Sequence, residues 1–133
     1  MKHEERSMAA LAHLAAIIPL WGILFAGIIW LQFKEKSKHV VFHAQQAIFF
    51  QVILLIVIIV ALVFRLFCSI IAVVNSSLAS ILNAGNLFLL IVCLILYGAA
   101  CLYAAWSVLE GRAFEYPFIG KQLRESEPES DAK

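Results

Sequence analysis

Long apolar runs alternate with short polar breaks along this chain. Residues 9–33 hold no charged side chain, and the polar stretch 34–46 gives way to a second apolar run from Ala47 to Phe64. A third run covers 86–109. Between Ser7 and Glu110 the only charged residues are Lys34, Glu35, Lys36, Lys38 and Arg65. A hydrocarbon core of ~30 Å is crossed by about 20 helical residues. The 25 residues of 9–33 make a rod of about 37 Å, enough to span with tilt. The pattern predicts an all-α integral membrane protein with three transmembrane helices, over about 9–33, 44–67 and 86–109.

Local signals refine each helix. Ser7 is placed to cap the first. Pro19 should kink it, because the ring removes a donor and clashes with the preceding turn. Ala12, Ala16, Pro19, Gly22 and Ala26 recur at helical steps, a small-residue face of the kind that lets helices approach in lipid. Ser37 is placed to cap a second helix from Lys38, and Arg65 falls where that helix should leave the bilayer. Residues 68–85 are less apolar and carry a one-sided stripe. They read as an interfacial or extended amphipathic segment between helices two and three; a fourth span is the alternative. Gly98, Ala100, Cys101, Ala104 and Ala105 give the third span a small-residue region suited to packing on the first. Gly111 sits at the expected stop.

Composition agrees. The chain is 63% hydrophobic and 14% charged, with a mean hydropathy of +0.93, whereas a soluble domain carries about 25% charged residues. A net charge of +1 gives no reason to expect a nucleic-acid partner. Cys68, Cys93 and Cys101 lie in apolar sequence without a CxxC pair and read as small fillers. The first apolar run is longer than the core of a cleavable signal, so it is expected to stay in place. Residues 1–124 form the membrane domain on this reading, and 125–133 an acidic, disordered tail.

Charge sets the expected topology. With three spans, Lys34, Lys36, Lys38, Arg112, Lys121, Arg124 and Lys133 share one side, and Lys2, Arg6 and, at the boundary, Arg65 lie on the other. Basic residues concentrate on the cytoplasmic side. The expectation is therefore a multi-pass inner-membrane protein with its N-terminus outside and its C-terminus in the cytoplasm; four spans would place both termini inside. Lys34, Lys36, Lys38, Arg112 and Lys121 are candidate contacts for anionic lipid headgroups. Membrane lipids are the expected partner, with a homo-oligomer or other membrane proteins as open alternatives.

The densest chemistry lies in 34–51. His39 and His43, four residues apart, share a helix face that can hold a metal, but no nearby Cys, Asp or Glu completes a set, so no metal or cofactor is expected. A straight first helix carries His13 to the opposite face of the membrane; only a break at 19–22 would bring it back. No serine nucleophile, phosphate loop or pair of intramembrane carboxylates is evident, and an enzyme is not expected. His43, Gln46 and Gln51 enter the bilayer in the second helix, where unpaired amides are costly. They are expected to hydrogen-bond between helices or to Tyr116 and Pro117, making one polar cluster that either fastens the helices or lines a cytoplasm-facing vestibule.

Several motifs carry a family resemblance: Leu11-Ala12-His13-Leu14, Ile28-Ile29-Trp30-Leu31 before the lysines, Val41-Phe42-His43-Ala44-Gln45-Gln46-Ala47 leading to Phe49-Phe50-Gln51, and Gly111-Arg112-Ala113-Phe114-Glu115-Tyr116-Pro117-Phe118 after the last span. Over residues 8–124 the chain resembles the Tic-twenty-like small membrane proteins, a bacterial domain of unknown function grouped with the magnetosome proteins MamF and MmsF. Phe49 departs from the Asn that many relatives carry there. The resemblance implies a helical membrane protein; its plant relatives belong to an import apparatus and its magnetosome relatives are tied to crystal growth. The expected function is a non-enzymatic scaffold or assembly subunit. The alternative is an oligomeric channel, transporter or protein-translocation component.

Overall fold

A computed structural model describes residues 3–126. The acidic tail expected to be disordered lies, beyond Ser126, outside the described residues. Among the described residues five helices follow in order: α1 (His3–Ala15), α2 (Trp21–Phe33), α3 (Lys38–Val74), α4 (Ser76–Leu109) and α5 (Ile119–Ser126). Among the described residues there is no strand. The chain forms two compact units, Met1–Gln51 with Ala100–Lys133, and Val52–Ala99.

The first apolar run is not one helix. It is two 13-residue helices, α1 and α2, joined by a turn over 16–20. Pro19 has no N–H to continue α1, and Leu20 takes the left-handed φ of 68° with ψ −54°. With Trp21 N–H donating to the Pro19 carbonyl at 2.9 Å, this is a γ-turn closed over one residue. The expected kink is a full reversal. Each helix is about 20 Å long, short of the ~30 Å hydrocarbon core, so the expected first span is not one continuous helix.

Within the first unit α1 runs alongside the start of α3 in the same direction. His13 meets His43 and Ile18 meets Gln51. α2 then returns to the elbow at 34–37. Gly22 permits the reversal: a Cβ there would lie 2.3 Å from the Ala15 carbonyl oxygen and 2.8 Å from the Ala16 Cα. Small side chains make the rest of the contact. Ala9 and Ala10 pack with Ala105 and Val108 of α4, and Phe114 closes that cluster. Ala12, Ala16 and Ala26 are fully buried. Ser7 lies inside α1, its hydroxyl donating to the His3 carbonyl, so it does not cap the helix.

Among the described residues α3 and α4 are the two helices long and apolar enough to cross a membrane, 37 and 34 residues, about 55 and 51 Å. α3 opens beside Ser37, whose hydroxyl accepts from Val40 N–H at 3.5 Å. α4 ends in a Schellman turn: Arg112 N–H donates to the Ser107 carbonyl and Gly111 N–H to that of Val108, with Gly111 at φ 77°.

The second unit, residues 52–99, holds the end of α3 and the start of α4. α3 does not stop near Phe67 but continues to Val74, which puts Arg65 in mid-helix rather than at an end. Asn75 alone separates α3 from α4. Its side-chain oxygen accepts from Leu78 N–H at 3.0 Å and caps α4. Residues 68–85 thus extend both long helices, the extended form of the two expected, and make no separate fourth helix between them. Asn86 holds the pair together by donating to the Ala61 carbonyl at 3.1 Å.

Candidate functional site

A buried polar cluster forms where the hairpin, the start of α3 and the segment after α4 meet. Helical spacing explains the α3 contribution: His43, Gln46, Ala47 and Gln51 recur at three- and four-residue steps and all are buried. The Schellman turn sends the chain after Gly111 back over α1 and α3, bringing Tyr116 into the same interior.

His13 is the central member. It is fully buried, its Nε2 lies 3.2 Å from His43 Nδ1, and its Nδ1 lies 3.3 Å from the Tyr116 hydroxyl. The Tyr116 hydroxyl is also 4.0 Å from Cys101 Sγ. Two tautomer sets satisfy this row. In one, Tyr116 O–H donates to His13 Nδ1 and His13 Nε2–H to His43 Nδ1. In the other, His43 Nδ1–H donates to His13 Nε2, His13 Nδ1–H to the tyrosine oxygen, and Tyr116 O–H to Cys101. His39 extends the row toward the surface, with its ring centroid 4.4 Å from that of His43.

The glutamines bind main chain. Gln46 Oε1 accepts from Tyr116 N–H at 3.1 Å, tethering the post-α4 segment to α3. Gln51 Nε2 donates to the Ile18 carbonyl at 2.7 Å, so α3 caps the turn of the hairpin. That carbonyl also accepts from Gly22 N–H at 2.9 Å. Such a turn at membrane depth is tolerated when protein covers it and its polar groups are paired. Gln46 Nε2 and Gln51 Oε1 find no partner among the described residues. Aromatic packing completes the walls: Phe50 stacks on Tyr116 at 4.1 Å, and Phe114 stands edge-on to it at 4.9 Å.

His43, Gln46, Gln51 and Tyr116 therefore come together. Pro117 does not: it is exposed, in the turn that leads into α5. His13, Cys101 and Phe114 belong to the cluster as well. The expectation that His13 lies at the far face fails because the chain reverses at Pro19–Gly22, the break that alone could return it. The basic candidates Lys34, Lys36, Lys38, Arg112 and Lys121 are all exposed. Arg112 pairs with Glu110 at 2.8 Å and lies over the Trp106 ring. Lys121 pairs with Glu125 at 3.8 Å. Lys38 lines a shallow cavity of about 250 Å³ with His39, Phe42 and Arg124, and Arg124 is held by Glu115. Among the described residues no group of three or more His, Cys, Asp or Glu side chains is placed to hold a metal ion.

The model of the magnetosome magnetite crystal formation protein family matches residues 4–123. The chain belongs to the MamF/MmsF family. The span of the match takes in the α1–α2 hairpin, both long helices and Tyr116, so the whole buried cluster lies inside the MamF/MmsF region. Membership in this magnetosome membrane family, with two long apolar helices, makes the protein a helical membrane protein. No curated protein and no solved structure matches this MamF/MmsF member.

Proposed function

We propose that the protein is a non-enzymatic scaffold or assembly subunit of a magnetosome membrane, taking part in magnetite crystal formation by holding a packed helical unit there. One observation carries this reading: both buried glutamines are bonded to main chain, Gln46 to Tyr116 N–H and Gln51 to the Ile18 carbonyl. Side chains fixed to backbone fasten elements to one another. The kinship with Tic-twenty-like proteins and a multi-pass position derived from the inner membrane belong to the same proposal.

The proposal puts both termini on one side. The Arg6 guanidinium lies over Gly111 so closely that a Cβ there would sit 2.7 Å from its central carbon, so α1 begins where α4 ends. Of the described basic residues only Arg65 lies in the second unit. The positive-inside bias then makes the end with the elbow and the C-terminal segment cytoplasmic, and the N-terminus joins it. The N-outside arrangement depended on a single span over 9–33. A His3→Cys variant in intact cells is expected to resist an impermeant thiol reagent applied from outside; labelling there overturns the same-side arrangement.

The fastening role is tested with His43→Ala and Gln46→Leu. Crystal growth and resistance to unfolding in detergent should fall together. Altered crystals with unchanged stability would mean that the cluster acts chemically, and the scaffold reading would lose. The channel reading is favoured by one observation, the unpartnered Gln46 Nε2 and Gln51 Oε1, polar capacity of the kind that lines a vestibule. A monomer in native-like lipid without liposome flux sinks it.

A further inference from the structure

We propose that the α1–α2 hairpin is a wedge in a single leaflet, so that the protein favours membrane in which the leaflet on the side of its termini is convex. The inference rests on the same-side arrangement proposed above.

The depth of the hairpin carries the argument. His3 to Ser7 form a polar lead, and the apolar part of α1 is only Met8–Ala15 in extent, residues 8–15. Eight residues rise about 12 Å, and the 13 residues of α2 about 20 Å. Half of a ~30 Å core is ~15 Å. A hairpin that enters beside Gly111 and leaves at the 34–37 elbow therefore reaches about the bilayer midplane and turns back. Its surface is dressed for lipid. Leu11, Leu24, Phe25 and Leu31 are 48–66% exposed along the flanks, and at the turn Leu20 and Trp21 are 65% and 62% exposed. The turn survives at that depth because Gln51 and Gly22 N–H both bond the Ile18 carbonyl.

α3 and α4 are each long enough to occupy both leaflets; the hairpin occupies one. Two helices ~10 Å across add roughly 150–200 Å² to that leaflet alone. Area inserted on one side is relieved by bending toward that side, the reason that one-leaflet helices respond to curvature.

The test uses the full chain with a C-terminal fluorescent fusion and an N-terminal epitope, reconstituted in giant vesicles from which narrow tubes are pulled outward. Protease added outside reports the side of each terminus. Where the termini face outward, the protein-to-lipid ratio in the tube should exceed that in the parent vesicle, by about twofold or more as the tube narrows; where they face the lumen it should fall below it. A ratio of one in both orientations, or equal enrichment in both, overturns the wedge. Termini cut on opposite sides would instead overturn the same-side arrangement, and the wedge with it; termini on one side with a ratio of one overturn the wedge alone.

Discussion

His13 and His43, thirty residues apart in the chain, face each other nitrogen to nitrogen at 3.2 Å in the buried interior. The contact ties the hairpin to α3, and through the Tyr116 hydroxyl it reaches the segment after α4. Because the rings share one bond, their losses should not add. Single His13→Ala and His43→Ala variants should each cost about 1–3 kcal/mol, and the double variant should recover about 0.5–1.5 kcal/mol of the sum. Unfolding by a denaturing detergent titrated into bicelles measures this. Strict additivity would mean that the two rings do not depend on one another.

Two glycines make opposite predictions. A Cβ at Gly22 collides with backbone atoms of Ala15 and Ala16, whereas one at Gly27 meets nothing within 4 Å. Gly22→Ala should destabilise by about 1–3 kcal/mol, because backbone must move to admit it. Gly27→Ala should stabilise by about 0.5–1 kcal/mol through helix propensity. Similar effects from both in the same unfolding assay would contradict the close approach at the hairpin turn.

The glutamines should also differ. Gln46→Leu leaves the buried Tyr116 N–H without its acceptor, a cost of about 1–3 kcal/mol. Gln51→Leu leaves the Ile18 carbonyl still bonded to Gly22 N–H, so its cost should be smaller. A larger loss from Gln51→Leu would show that the turn, not the Tyr116 tether, is the weaker element. Hydrogen exchange in detergent can localise each effect, at 114–118 for Gln46→Leu and at 18–22 for Gln51→Leu.

Leu20 sits at φ 68° with 65% of its surface exposed. A branched side chain in that region is strained by about 1–3 kcal/mol, which glycine avoids. Little packing is lost on its removal, so Leu20→Gly should raise stability by about 1 kcal/mol. A fall in the unfolding midpoint would mean that the Leu20 side chain holds the turn through packing.

Some of this was legible along the chain. Continuous apolar runs fix the membrane environment, because no water-soluble domain can place residues such as 47–64 on its surface. Ser37, Gly111 and the spacing of His43, Gln46 and Gln51 mark a helix start, a helix end and a buried polar face, each a property of a few neighbouring residues. The cost of burying an unpaired amide called for partners to that face, either between helices or in the 116–117 segment, and left the choice open; Gln46 meets Tyr116 N–H. What only the tertiary structure decided is the path through 16–20. A proline in an apolar run can bend a spanning helix or reverse it, and propensity does not distinguish the two. The choice falls to contacts between residues far apart: Gln51 pairing the Ile18 carbonyl, a missing side chain at Gly22, and His43 waiting for His13. Gln51 lies 33 residues from Ile18 and His43 lies 30 from His13, and neither partner signals the other locally. That single reversal moves His13 into the site and replaces the expected first span with two short helices, which is what the proposed same-side arrangement of the termini rests on.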